Sequence, residues 1–246
     1  MRRNGVSEKH LRLGHDAVLA YPPLRDPAVC TIGFVGSLSK WHGVEALLDA
    51  IHYLVGANGA NGARDGGHHA AAVNGQRRYR LTIIGRGRED ESLRTRARAL
   101  GLDACVEWRG ALSHDDAVRA IRDFDIAVLP NTLHTGAPMK LAEYAAMGRP
   151  MIGPDRPNIR EMFAGGQEIV LVPPGDASAL ARAIEGLASR PDEARRLGLA
   201  ARQRIAHHTW EETVEVLVQH ATDAGAQAAA RAPAYAPWSA DRPPSP

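Results

Sequence analysis

The sequence predicts an α/β fold in which a doubly wound parallel sheet carries helices on both faces. Short apolar runs rich in Val, Ile or Leu alternate with segments of helical period, which is the pattern of parallel strands joined by helices. Each run is continuously apolar, as expected for a strand that is buried on both faces. Gly36, Gly85, Pro130 and Gly153 lie at the ends of four runs. Right-handed crossovers bring such ends to one edge of the sheet, where ligands bind in these folds.

The elements are predicted in chain order from these patterns. Strands are predicted at residues 30–36, 79–85, 104–109, 125–130, 151–153 and 169–172. Helices are predicted at residues 44–55, 90–100, 114–123, 139–147 and 158–163, and then at 177–189, 191–208 and 211–222. Asp176 and Asp192 are interpreted as helix-start residues, because an aspartate side chain accepts hydrogen bonds from the first free N–H groups.

Two segments differ from the rest in composition. Residues 56–78 are rich in Gly, Ala, Asn and His and have no periodicity, so they are predicted to be a flexible insertion. His68 and His69 lie in this insertion without a cluster of Cys, Asp or Glu, which argues against a metal site. Residues 223–246 are rich in Ala, Pro, Arg and Ser and are predicted to be a disordered tail.

The composition excludes some classes of function. The 246 residues suffice for one large or two small domains, and 44% of them are hydrophobic. The net charge is +2 with both signs mixed along the chain, which argues against a nucleic acid as partner. Arg94, Arg96 and Arg98 lie on a predicted helix and are interpreted as a solvated face. Cys30 and Cys105 lie in apolar strand patterns without metal-ligand spacing, which indicates buried free thiols in a reducing compartment.

The N-terminus begins MRRNG and continues with polar residues. It has no apolar stretch long enough for a signal peptide or a membrane span. We therefore expect a cytoplasmic protein with no transmembrane segment, while peripheral contact with a membrane-borne acceptor stays open.

The most informative segment is APMKLAEYAAMGRP at residues 137–150, which MIGPDRPNIRE follows directly at 151–161. Its order is loop, helix, Gly stop, Pro and strand, so its helix begins at the ligand-binding edge of the predicted sheet. Lys140 adds a full positive charge to the free N–H groups of this helix N-terminus, which suits a phosphate. Glu143, one turn further, can accept hydrogen bonds from sugar hydroxyls. Gly136 in the preceding loop permits close approach of backbone N–H groups. Together these residues point to a nucleotide-sugar.

Other catalytic patterns are missing from the sequence. It has no Asp-x-Asp motif in a loop after a strand, no Ser–His–Asp series, no pair of catalytic carboxylates and no zinc cluster. Gly85-Arg-Gly87 is half of a dinucleotide fingerprint and follows the second strand, so NAD binding is a weak interpretation. We therefore expect no metal and no cofactor, with a nucleotide-diphosphate sugar as the donor substrate.

These segments resemble the donor-site signature of family 4 (group 1) glycosyltransferases of the GT-B fold. The resemblance runs from about residue 31 to residue 216, with its landmarks in the family's order. Those landmarks are GFVGSLSKWHGV at 33–44, LTIIGRG at 81–87, VEWRG at 106–110, DIAVLP at 125–130, VPPGD at 172–176 and TW at 209–210. The resemblance implies that residues 28–222 are the C-terminal nucleotide-sugar-binding domain. It also implies that residues 1–27 are a linker or a remnant of the N-terminal domain, and that the N-terminal acceptor domain is absent.

The resemblance implies roles for individual residues. Lys140 and Glu143 match the family's catalytic positions, with Lys140 on the diphosphate and Glu143 on the ribose hydroxyls. The positions implied in donor binding are Gly36, Ser37, Lys40, His42, Arg86, Arg109, Thr135, Gly136, Ala137, Pro138 and Met139.

Three positions depart from the commonest family pattern. Thr135 stands where many members have a Glu that contacts a hydroxyl of the donor sugar, so the identity of that sugar stays open. Ser37 and His42 stand where many members have Arg and Lys on the diphosphate, in a Trp-His-Gly variant of this loop. His42 is either a phosphate donor or a helix cap, and Lys40 either adds charge or is solvated.

The resemblance implies a glycosyltransferase that moves a hexose-type sugar from a nucleotide-diphosphate sugar to a glycan or lipid-linked acceptor, with retention and without a metal. Positive charge and helix N–H groups would neutralise the departing diphosphate. A separately encoded acceptor domain is a candidate partner, and we expect the chain alone to lack full activity. Two alternatives stay open. One is a catalytically incomplete nucleotide-binding or partner module of a split or degenerate glycosyltransferase, and the other is a nucleotide-sugar epimerase of the same fold.

Overall fold

The structure is a computed structural model that describes residues 6–19, 28–59, 78–134, 139–207, 214 and 218–223. Most of the predicted insertion 56–78 and of the predicted tail 223–246 lies outside the described residues. Of the predicted helix 211–222, residues 214 and 218–222 are described, and they are helical. The site candidates Thr135, Gly136, Ala137 and Pro138 lie outside them as well.

Six parallel strands form one sheet within the described part of the chain, in the order β3-β2-β1-β4-β5-β6. They are β1 Val29–Val35, β2 Arg78–Ile84, β3 Val106–Gly110, β4 Ile126–Val128, β5 Met151–Pro154 and β6 Val170–Val172. The strand order runs outward from β1 on one side and from β4 on the other, which defines a doubly wound sheet. The predicted fold class is therefore confirmed.

Eight α-helices connect and flank these strands in the described segments. They are α1 Glu8–Leu19, α2 Val44–Gly59, α3 Asp90–Ala99, α4 His114–Ala120, α5 Met139–Ala146, α6 Pro157–Met162, α7 Ala177–Ser189 and α8 Pro191–Ala206. Helix α2 packs against α3 and α7, whereas α5 packs against α1 and α8. Because the crossover direction reverses between β1 and β4, these two groups of helices cover opposite faces of the sheet.

The core lies between the sheet and the two helical layers. Phe34, Leu47 and Ile83 are almost completely excluded from solvent. Tyr144 on α5 is also fully buried, and its hydroxyl accepts a hydrogen bond from the N–H of Val35 at 2.9 Å. This bond ties α5 to the carboxyl end of β1, where the candidate site lies.

Helix α1 is a feature that the sequence pattern does not predict, because residues 1–27 read as a linker or a remnant of another domain. A Cβ added to Gly14 would lie 1.8 Å from the carbonyl oxygen of Ala146, so α1 and α5 are in close backbone contact. Arg202 on α8 donates a hydrogen bond to the carbonyl of Leu11 at 2.7 Å. Tertiary contacts therefore hold α1, and helices whose stability comes from packing are hard to predict from local pattern. That residues 1–27 are a linker or a remnant of another domain stays a prediction.

Some predicted boundaries are wrong. Helix α2 extends to Gly59, so the flexible insertion cannot begin at residue 56. Helix α4 ends at Ala120 and continues as a 3₁₀ turn, Ile121–Asp123. The predicted strand 125–130 shortens to β4 because the Asp125 carboxylate accepts the N–H of Thr31 at 2.7 Å and Pro130 has no N–H to donate.

Two helix starts were also predicted. The side chain of Asp176 accepts a hydrogen bond from the N–H of Ala179 at 2.9 Å, so the predicted cap of α7 is confirmed. Helix α8 begins at Pro191, as predicted, and Asp192 lies within its first turn rather than at the cap. Proline is favoured at this position because its fixed φ angle suits the first helical residue.

Cys30 is buried and Cys105 is partly buried, and neither forms a disulfide bond. Burial raises the pKa of the Cys105 thiol to about 11, so this sulfur stays protonated near neutral pH. Within residues that the structure describes, no helix combines the length and the apolar character that a membrane span requires.

Candidate functional site

The candidate site lies where the strand order reverses, between the carboxyl ends of β1 and β4. Gly36 follows β1 directly, and α5 is the helix that follows β4. Ligands of open α/β sheets bind in the crevice at this switch point, because the loops after the two strands diverge to opposite faces. The topology therefore brings the loop after β1 and the start of α5 together.

Lys140 reaches from α5 across the end of β1. A Cβ added to Gly36 would lie 2.0 Å from Cε of Lys140, so the lysine side chain occupies the space that any larger residue would need. The φ angle of Gly36 is 154°. Glycine at this position therefore permits the close approach of Lys140 to the backbone.

His42 receives the end of the lysine side chain. It lies on a 3₁₀ turn, Lys40–His42, and only 6% of it is exposed. Its Nδ1 is 2.7 Å from the carbonyl oxygen of Ser37, and a carbonyl can only accept, so Nδ1 carries the proton. Nε2 is then the acceptor for Lys140 Nζ, which lies 3.0 Å away. Lys140 thus faces a neutral imidazole.

The electrostatics of this pair follow from burial. Burial lowers the pKa of His42, the charge of Lys140 lowers it further, and the Ser37 carbonyl opposes both effects. Burial also lowers the pKa of Lys140, against which the carboxylate of Glu143 acts. Burial therefore disfavours the charged forms of both groups, and a bound anion would favour them.

Glu143 lies one helical turn after Lys140, and 9% of it is exposed. Burial raises the pKa of its carboxyl group, whereas the nearby His114 and Lys140 lower it. Oε1 of Glu143 is 3.6 Å from Nε2 of His114, at the start of α4. A buried carboxylate at this edge can accept hydrogen bonds from ligand hydroxyls.

Backbone contacts hold the loops around these side chains. The N–H of Leu38 donates to the carbonyl of Arg86 at 3.0 Å, and the N–H of Asn131 donates to the carbonyl of His42 at 3.1 Å. A Cβ added to Gly85 would lie 1.9 Å from the carbonyl oxygen of Gly36. The loops after β1, β2 and β4 therefore form one connected surface.

The structure brings Gly36, Ser37, His42, Lys140 and Glu143 together at this edge. The hydroxyl of Ser37 is exposed, and its Oγ lies 3.3 Å from Nδ1 of His42.

Three other predicted donor-binding residues, one of which is the first residue of α5, lie around this group. Lys40 is exposed on the same 3₁₀ turn as His42, and Met139 is the half-buried first residue of α5. Arg86 is 68% exposed and lies 3.7 Å from Asp90. For these residues the donor-binding role stays a prediction.

Arg109 points elsewhere. Its Nε lies 3.9 Å from Oε1 of Glu107, and it lines a cavity of about 460 Å³ on the face of the sheet, with Thr31 and Thr82 among its neighbours. Its described contacts are with this polar face. The predicted role of Arg109 in donor binding stays a prediction.

His114 and Arg156 are site residues that the sequence argument did not single out. His114 is 64% exposed beside Glu143 and directly follows Ser113, which caps α4. Arg156, after β5, donates to Oδ1 of Asn131 at 2.9 Å and 3.3 Å and so braces the loop after β4. Both follow the carboxyl ends of strands, so the rule that placed Lys140 could have found them.

In the described segments, no group of three or more His, Cys, Asp or Glu side chains could hold a metal ion. A half-buried ammonium, a neutral imidazole and a buried carboxylate instead lie along one edge. The cation suits phosphate oxygens and the carboxylate suits hydroxyl groups. Chemically, the arrangement can hold a phosphorylated sugar or a nucleotide.

Comparisons with known proteins agree with this chemistry. The model of a family described as "Glycosyl transferases group 1" matches residues 29–190. The chain is 30% identical over 136 residues to EpsD of Bacillus subtilis, which is 55% of this chain and 35% of EpsD. It is 28% identical over 130 residues to the phosphatidyl-myo-inositol mannosyltransferase of Mycobacterium leprae, which is 53% of this chain and 34% of that protein. The chain therefore spans about a third of the length of these curated relatives.

Two solved structures share the fold. Sucrose-phosphate synthase from Thermosynechococcus elongatus matches with a TM-score of 0.70 at 21% identity, over 91% of this chain and 52% of the other. HepE from Anabaena, in complex with UDP and glucose, matches with a TM-score of 0.66 at 15% identity, over 90% of this chain and 55% of the other. At these identities the likeness shows the fold alone.

Proposed function

Because this chain belongs to the group 1 glycosyltransferase family, we propose that it is the donor-binding domain of a glycosyltransferase that uses a nucleotide-diphosphate sugar. The observation that carries the proposal is the pairing of Lys140 with a neutral His42 at the switch point, with buried Glu143 one helical turn further. The first two groups bind the diphosphate, and the third binds the ribose.

A diphosphate would supply the negative charge that the buried ammonium of Lys140 lacks in direct contact. Its ammonium is largely desolvated, and its described hydrogen-bond partner is an uncharged nitrogen. A phosphate oxygen at the same place would form a charge-assisted hydrogen bond, which is roughly twice as strong as a neutral one. The start of α5 adds the partial positive charge of a helix N-terminus.

The spacing of residues along α5 supports a ribose site next to the diphosphate. Residues three apart lie on the same face of a helix, so a ligand bound at Lys140 extends past Glu143. The carboxylate of Glu143 can accept from two vicinal hydroxyls at once, since each oxygen has its own lone pairs. A nucleoside diphosphate offers both groups at this separation.

The proposed reaction transfers a hexose-type sugar. The bond between the anomeric carbon and the diphosphate oxygen breaks, and the nucleoside diphosphate leaves with the electron pair. An acceptor hydroxyl, on a glycan or a lipid-linked acceptor, forms the new bond to the anomeric carbon, and its proton passes to the leaving diphosphate. Lys140 and the start of α5 stabilise the charge that develops on the leaving group, so no metal is required. We propose retention of the anomeric configuration from family membership.

The relatives support this class of donor. The Anabaena structure contains UDP and glucose, and the Mycobacterium leprae relative is named a mannosyltransferase. Both names concern hexoses. The acceptor site belongs to a second domain in our proposal, either in the same polypeptide or as a separate chain. We place the protein in the cytoplasm because its two cysteines are free thiols.

Calorimetric titration tests the proposal. The chain would be titrated with UDP, GDP, UDP-glucose and GDP-mannose in buffer that contains a metal chelator. We expect one nucleotide series to bind, and Lys140→Ala or Glu143→Ala to weaken its binding by roughly 10- to 100-fold, because each removes a charge-assisted contact of about 1.5–3 kcal/mol. Glu91→Ala is the matched control, since Glu91 is an exposed α3 residue paired with Arg98.

Binding that both variants retain would refute the assignment of these residues, and a folded chain that binds none of the nucleotides would refute the donor-domain proposal. The second candidate function is a nucleotide-binding module without turnover. Ser37 favours it, because a hydroxyl replaces a cation in this loop. Sugar transfer after the chain is mixed with an acceptor-domain partner would exclude that candidate.

A further inference from the structure

We propose that His42 takes up one proton when the donor diphosphate binds, so that donor affinity in this protein is coupled to the protonation of a single imidazole. The inference rests on the proposed function. It concerns a property that a lysine or arginine at the same position would not have, since their side chains are charged throughout the physiological pH range.

The geometry of the ligand-free site fixes the starting state. The carbonyl of Ser37 holds the proton on Nδ1 of His42 at 2.7 Å, and Nζ of Lys140 donates to Nε2 at 3.0 Å. Nε2 is therefore occupied as an acceptor. A second proton on the ring would put two N–H groups and two positive charges face to face across this distance.

The surroundings of His42 keep it neutral in that state. Lys140 faces it from α5, and Glu143 lies one turn behind the lysine on the same helix. Phe34 of β1 and Trp41 of its own turn contact the imidazole with their rings, at centroid distances of 5.9 Å and 5.8 Å. Among the described residues, Lys40 adds a further charge on the same turn, where it is exposed. Burial and Lys140 accordingly lower the pKa of His42.

The diphosphate reverses this balance. Its oxygens accept from Nζ of Lys140, which then no longer donates to Nε2 of His42. The freed Nε2 takes a proton from water or buffer, keeps it, and donates a hydrogen bond to a second phosphate oxygen. Nδ1 keeps its hydrogen bond to the carbonyl of Ser37. No covalent bond changes, and the whole step consumes one proton from solution for each donor bound.

The sign of the pH dependence follows from linkage. The bound state holds one proton more than the free state, so affinity rises as pH falls. The rise begins below the pKa of His42 in the complex and ends at its lower pKa in the free protein. Within this window, affinity increases by up to about tenfold per pH unit.

The wild-type chain is tested first, by calorimetry with UDP-glucose and GDP-mannose in buffers of different ionisation enthalpy. Sugar-linked diphosphates are used because a terminal phosphate titrates near pH 6 by itself and would add its own protons. We expect the observed enthalpy to change with the buffer by a slope that corresponds to uptake of up to one proton per donor.

Three variants assign the proton. His42→Gln keeps a neutral donor that cannot titrate, so it should bind with no proton uptake, and His42→Lys keeps a cation and should bind as well. Glu143→Gln should keep the uptake, because the proton resides on His42. His52→Gln is the control, since His52 is a half-buried histidine on α2 that contacts the carbonyl of Leu100 at 3.1 Å.

Each outcome decides something. Wild-type binding without proton uptake overturns the inference, and so does uptake that persists in His42→Gln or disappears in Glu143→Gln. Failure of the wild-type chain to bind either sugar nucleotide refutes the proposed function and this inference with it. If buried substitutions at position 42 unfold the chain, the NMR shift of the His42 ring in the wild type, titrated with and without donor, gives the same answer.

Discussion

Cations lie at two places along the carboxyl edge of the sheet, and they are arranged differently. At the ends of β2 and β3, Arg86 is exposed beside Asp90, and Arg109 lies against Glu107. At the junction of β1 and β4, Lys140 is half-buried, and its hydrogen bond goes to the neutral His42. The first pair of cations already has carboxylate neighbours in contact. Lys140 has its carboxylate, Glu143, a full turn away along the helix.

The difference separates structural charge from charge that is available to a ligand. Exposed ion pairs contribute little to stability, because water solvates both partners whether or not they are paired. A desolvated cation without direct contact to an anion is less stable than it would be in water, and this cost is recovered when an anion binds. Binding sites therefore stand out by burial and incomplete compensation more than by the number of cations.

The largest loss of donor affinity is expected when Lys140 is displaced from its buried position without being removed. Gly36→Ala places a Cβ 2.0 Å from Cε of Lys140, and the flexible end of the lysine must move away. We expect donor affinity to fall by about 100-fold, as if the ammonium were absent, because two contacts of about 1.5 kcal/mol each are lost. Calorimetric titration with the nucleotide that the wild type binds measures the loss.

Backbone strain is a competing cause at Gly36, whose φ is 154°. Gly101→Ala is the matched control, because Gly101 has a φ of 70° but nothing within 4 Å of its added Cβ. It should lose stability by roughly 1 kcal/mol and keep donor affinity. Equal losses of affinity in both variants would mean that strain, rather than the position of Lys140, controls binding.

How much of this site the sequence could predict depends on how far apart along the chain the interacting residues lie. Lys140 and Glu143 belong to a single helix, and their spacing is visible in the chain. The contact of Lys140 with His42 joins residues 98 positions apart, and it depends on the order of the strands. The pairing of Arg109 with Glu107, by contrast, joins residues two apart on β3, so it follows from the strand period alone.

The strands of the sheet were easier to predict than helix α1. Continuous apolar runs mark β4 and β5, which are buried on both faces and need apolar residues throughout. The expectation of continuous apolar runs is wrong for β2 and β3, where Arg80, Glu107 and Arg109 lie on an exposed face. Helix α1 is amphipathic, yet residues 1–27 read as a linker or a remnant of another domain. Its position depends on Arg202 of α8, a residue at the other end of the domain. Long-range packing of this kind is absent from any local window of sequence.

A smaller effect is expected when the buried carboxylate loses its charge. Glu143→Gln preserves shape but removes the acceptor for a second hydroxyl, so we expect about a tenfold loss of donor affinity. The same change should stabilise the ligand-free chain at neutral pH by about 1 kcal/mol, or about 2–4 °C in Tm, because a buried charge disappears. Thermal unfolding measured over a range of pH tests this trade-off.

The pH dependence of that gain has a defined sign. Burial raises the pKa of Glu143 above its ordinary value of 4.5, so the folded wild type binds a proton more readily than the unfolded chain. Wild-type stability contributed by this group therefore falls as pH rises from 4.5 through the raised pKa. The advantage of Glu143→Gln should grow over the same window and vanish below it. A constant difference across pH would mean that packing, not charge, produces the gain.

The smallest effect is expected at Arg109, and it tests the other half of the comparison. The guanidinium of Arg109 has Glu107 beside it, and partly exposed pairs of this kind contribute about 0–1 kcal/mol. We expect Arg109→Ala to change donor affinity by less than about threefold in the same titration, with Arg119→Ala, another exposed paired arginine, as the control. Because the family resemblance places Arg109 near the nucleotide base, a loss of tenfold or more confined to Arg109→Ala would restore that role. It would also mean that Arg109 leaves Glu107 when the donor binds, so a compensated cation can be recruited by a ligand after all.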